Sequence, residues 1–100
     1  MTALESLQRA VEQLHGVPAR FVGSTPVQER AGAQTVWEGI VSQFDLDGHA
    51  TATRCYAWSV APSVENPREK FYAVLQTDVV DSPAKAVRAS IVADHKAAQR

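Results

Sequence analysis

At 100 residues, with 45% hydrophobic and 21% charged side chains, the chain can bury one core without disulfides, and its composition excludes a disordered or fibrous protein. Ten Lys and Arg against eleven Asp and Glu leave a net charge of −1, so no overall field draws the chain to nucleic acid or an acidic membrane. The lone cysteine, Cys55, cannot close an intramolecular disulfide, which points to a reducing compartment.

Residues 1–6 carry acidic Glu5 where a secretory leader would place Lys or Arg, and no stretch approaches the ~20 apolar residues of a membrane span. The expectation is a cytoplasmic protein folded as a single domain over residues 1–100. Residues 2–15 read as a helix, because Leu4, Leu7, Val11 and Leu14 recur at steps of three and four. Thr2 and Glu5 have the spacing of a capping box, and Gly16 with Pro18 supplies the stop.

From Ala19 to Arg30, Phe21, Val22 and Val27 favour a strand, while Gly23 and Pro26 restrict it to an edge or a bulged position. Residues 31–33 make a turn. The strongest local signal follows, where segments 36–46 and 49–60 flank Asp47-Gly48, a dipeptide suited to a two-residue type I′ hairpin. That register sets Leu46 opposite His49, Val41 opposite Arg54, Ile40 opposite Cys55, Gly39 opposite Tyr56 and Trp37 opposite Trp58.

Residues 61–69 hold two prolines and read as a surface loop, after which 71–80 resume as a strand. Ser82 as N-cap and Pro83 at the first helical position open a last helix, with Ala84, Val87, Ile91 and Ala98 as its buried stripe. The expected fold is α+β: a two-layer sandwich in the order α-β-β-β-β-α, a four-stranded antiparallel meander with both helices over one face.

Chemistry-bearing residues are sparse. His15, His49, His95 and Cys55 fall in four different elements, so no metal site is encoded locally, and Asp94-His95 are neighbours that point apart on a helix. Cys55 and His49 would share a strand face but stand about 20 Å apart, too far for a nucleophile and its base. Asp45 and Asp47 belong to turn chemistry, and the five glycines are scattered without a phosphate loop. No catalytic set, metal or cofactor is expected.

The hairpin register sorts two faces. One carries Trp37, Arg54, Tyr56 and Trp58, which form core if a helix covers them and a stacking platform if they are wet. The other is polar apart from Ile40, Phe44 and Cys55, an apolar island of the kind that marks a dimer or partner interface. The favoured function is therefore a small non-catalytic interaction module, a homodimer or the binder of a protein partner, through Ile40, Phe44 and Cys55. The alternative is single-stranded nucleic acid or planar-ligand binding through the aromatic face, with Lys85, Arg88 and Lys96 as phosphate contacts. The third expectation is a pocket for a small apolar ligand between sheet and helices, or an enzyme built on that pocket.

Overall fold

A computed structural model describes residues 2–62, 64 and 67–98, with side chains described as far as residue 94. The side chains of His95, Lys96 and Ala98 therefore lie outside the described ones. Helix α1 (Ala3–His15) precedes strands β1 (Ala19–Ala31), β2 (Gln34–Leu46), β3 (Arg54–Val60) and β4 (Lys70–Leu75), and helix α2 (Pro83–Ala98) follows. The strands form one antiparallel sheet in the order β1-β2-β3-β4. The α+β class, the element order and the meander are those expected.

Helix α1 begins where Thr2 Oγ1 accepts from the Glu5 N–H at 3.1 Å and ends at Gly16, whose φ of 69° suits a residue without a Cβ. Of its apolar stripe only Leu7 and Val11 are buried. Two polar residues tie the helix to the sheet: Gln8 Nε2 donates to the Ala19 carbonyl at 2.7 Å, and Glu12 Oε2 accepts from the Ala19 N–H at 2.9 Å. These bonds satisfy both backbone groups of the first β1 residue.

Strand β1 is an edge strand, as Pro26 required, and its register shifts at Val22, between Phe21 and Gly23. The connection from β2 to β3 differs from the expectation. It runs from residue 47 to 53, and Cys55 lies opposite Phe44 rather than Ile40, a displacement of four residues. Asp47 N–H donates to the Pro18 carbonyl at 3.0 Å and Leu46 N–H to the Thr53 carbonyl at 2.9 Å, bonds that a two-residue turn would forgo. Gly48 still takes a positive φ, at 82°.

Because four is even, the displacement changed every cross-strand partner and left each side chain on its expected face. Strand β4 stops at Leu75, short of the expected Val80. Thr77 Oγ1 accepts from the N–H groups of Val79 and Val80 and turns the chain toward Ser82. Ser82 Oγ then accepts from the Lys85 N–H at 3.3 Å and opens α2 as expected.

Side-chain alternation decides where the helices go. Phe44, Cys55 and Ala57 pack with Leu7 and Val11 of α1, whereas Val27, Val41, Tyr56 and Trp58 pack with Ala86 and Val87 of α2. The helices cover opposite faces, where the sequence placed both on one. The reason is that both faces of the meander carry large apolar side chains, and each needs its own helix to exclude water.

Candidate functional site

The aromatic face is core under α2. Trp58 and Tyr56 are each 2% exposed, and the Trp58 ring stacks on Tyr72 at 5.3 Å and meets Trp37 edge to face at 5.8 Å. Tyr72 donates its hydroxyl to Asp94 of α2 at 2.9 Å and lies under the Lys70 ammonium, 4.8 Å from its ring centre. Burial raises the Tyr56 phenol above its ordinary value, against the nearby Arg54 charge.

Arg54 shares this face but not the ring cluster. Its Nε donates to Asp45 Oδ1 at 3.1 Å, and Arg20 donates to Asp45 Oδ2 at 2.9 Å, so Asp45 on β2 bridges cations from the two flanking strands, β1 and β3. Lys85 pairs with Asp81 at 2.8 Å, and Arg88 pairs with the buried Glu29 of β1. The cations assigned to phosphate contact thus hold carboxylates, apart from Lys96, whose side chain is outside the described ones. A wet stacking platform is not what these residues form.

Iodide is accordingly expected to quench only part of the tryptophan emission, with buried Trp58 in the protected, blue-shifted fraction and half-buried Trp37 in the other. Red-shifted emission fully open to iodide would contradict the placement of these rings beneath α2.

The expected island divides. Phe44 and Cys55 are fully buried beneath α1, which corrects their assignment to an exposed interface, while Ile40 stands 57% exposed. Burial pushes the Cys55 thiol from 9.0 up to about 12. A raised value means that stability from the neutral thiol is present below pH 9.0 and lost as pH climbs toward 12. Native protein at about pH 8 should therefore resist alkylation at Cys55, with labelling appearing only on unfolding; rapid native labelling would contradict this burial.

Ile40 lies at a groove that the sequence did not reveal. Pairing between β2 and β3 ends at Ser42 and Ala57, so residues 34–41 pair only with β1 and residues 58–60 only with β4. Where the strands diverge, a cavity of about 440 Å³ opens on the α1 side, with Leu4, Phe21 and Ile40 at its apolar lip and Ser24, Ser42 and Ser59 within. Leu4 and Phe21 are 38% and 39% exposed. In the sequence Leu4 reads as helix stripe and Phe21 as strand, and only the tertiary structure brings them to one groove with Ile40.

A second, larger cavity of about 730 Å³ flanks α2, with Val79, Val80 and Val92 as apolar lining and Asp78, Lys85 and Arg88 at its charged margin. Among the described residues no three potential ligand side chains gather as a metal site, and no helix is long and apolar enough to cross a membrane. No family model matches the sequence, and neither a curated protein nor a solved structure matches it.

Proposed function

We propose that this chain is a small, non-catalytic interaction module that self-associates through the groove bounded by Leu4, Phe21 and Ile40. The observation that carries the reading is the divergence of β2 from β3, which sets exposed apolar side chains beside strand edges with no ladder partner. Such edges accept an added strand, whose main chain supplies hydrogen bonds and whose side chains fill the neighbouring apolar groove. A net charge of −1 offers little repulsion between copies. A cytoplasmic setting belongs to the same reading, since the one thiol is a buried core group that needs no oxidising compartment.

Sedimentation equilibrium at micromolar concentration tests it. The chain is expected to exceed its monomer mass of 10.8 kDa, and Ile40→Asp should weaken association by about tenfold or more while leaving the circular dichroism unchanged. A monomer at every concentration, or an Ile40→Asp variant that associates like the parent, removes the proposal. A different protein as the groove's occupant would show as a wild-type monomer whose co-purifying partner is lost on the same substitution.

A further inference from the structure

Within the loop of residues 47–53, the turn over residues 49–52 is closed by one imidazole. His49 Nδ1 accepts from the backbone N–H of Thr51 at 3.2 Å and of Ala52 at 3.1 Å. Nδ1 branches from the backbone where Asn and Asp carry their side-chain oxygen, and accepting from amides further along the chain is how those residues close an Asx-turn. An Asn oxygen accepts at any pH. An imidazole nitrogen accepts only while it carries no proton, so this loop conformation requires neutral His49 with its hydrogen on Nε2.

A second imidazole lies against the first. His15, in the last turn of α1, meets His49 edge to face with ring centres 5.8 Å apart and planes at 88°. Its Nε2 is buried and makes no hydrogen bond. From α1, then, His15 faces His49, and Asp47 is the acid on its own loop. Asp45, Asp81 and Glu29 pair with Arg and Lys, and none of these ion pairs holds either imidazole. Among the described residues no carboxylate is therefore paired with either ring.

We propose that His49 is a proton-released latch. Neutral, it holds the β2–β3 loop in an Asx-type turn against the end of α1. On taking one proton from solvent at Nδ1, it presents an N–H to two amide donors, both hydrogen bonds break, and the loop leaves α1. Because Nδ1 can accept the two amide N–H groups only without a proton, the open loop binds one more proton than the closed one, so closure is favoured as pH rises and lost as pH falls.

Amide hydrogen exchange followed by NMR on the full chain tests this between about pH 8 and about pH 5, a span in which carboxylates stay largely ionised. Protection at Thr51 and Ala52, corrected for the intrinsic rate, should fall by about tenfold or more in acid, while Phe44 and Ala57 in the core stay protected. His49→Asn keeps the acceptor and loses the titration, so its loop should stay protected across the range. His49→Ala should leave the loop unprotected at both ends, and His15→Phe should retain the acid response. Protection independent of pH in the wild type overturns the proposal. So does an acid response in His49→Asn equal to the parent's, loss of the response in His15→Phe, or simultaneous loss of protection at Phe44.

Discussion

Replacing Phe44 with Ala should cost about 3–5 kcal/mol, a large part of the ~5–15 kcal/mol that holds a domain of this size together. Phe44 is 0% exposed, lies opposite Cys55 on β3, and meets the Phe21 ring at 5.9 Å. Leu7 and Val11 of α1 close the same cluster, so truncation leaves a cavity bounded by helix and sheet that neither can easily fill. Ile40→Ala provides the contrast on the same strand face. At 57% exposure Ile40 should cost about 0.5 kcal/mol or less in the monomer, with its larger effect on association. Urea midpoints measured on both variants at a concentration that keeps the chain monomeric check the difference. Similar losses would mean that the α1 cluster extends over Ile40, and the groove would then not exist.

Trp58→Ala is the second large effect, again about 3–5 kcal/mol, because its ring is the centre of the cluster under α2. The stack on Tyr72 and the edge contact with Trp37 add about 0.5–1.5 kcal/mol each beyond area burial. Trp37 reaches Trp58 only because Gly39 has no side chain. A Cβ on Gly39 would stand 3.0 Å from Trp37 Cη2 and 3.3 Å from Cζ2. Gly39→Leu should therefore displace the Trp37 ring, costing about 1–3 kcal/mol and removing the near-ultraviolet signal of the Trp pair. Retention of both the signal and the stability in Gly39→Leu would show that Trp37 does not depend on that space. The expected register set Tyr56 opposite this glycine; the ring that lies over it is that of Trp37, two residues along the same strand face.

How much was legible follows from which forces are local. The caps at Thr2, Gly16, Ser82 and Pro83 were readable because each acts within three residues of its own side chain. The edge position of β1 was readable from Pro26, which cannot serve a central ladder. The loop of residues 47–53 was not, since Asp47-Gly48 carries the composition of a tight turn while bonds from Pro18, Thr53 and the His49 ring select a longer one. The Pro18 carbonyl becomes available only once β1 and β2 are paired, and the His49 bonds, though local, put an imidazole where turn chemistry usually shows Asn or Asp. The candidate site was half legible: Ile40 was readable as apolar on a polar face, whereas Leu4 and Phe21 join it from two other elements across the fold.

The sequence by itself determined the elements, their order and the sorting of each strand into two faces, because helical and strand periodicities are properties of neighbouring residues. The tertiary structure decided the hairpin partners, the helix assigned to each face and the point where β2 leaves β3. Those outcomes depend on which apolar surfaces can be buried together, so Phe44 and Cys55 became core and Ile40, on the same face, stayed in water.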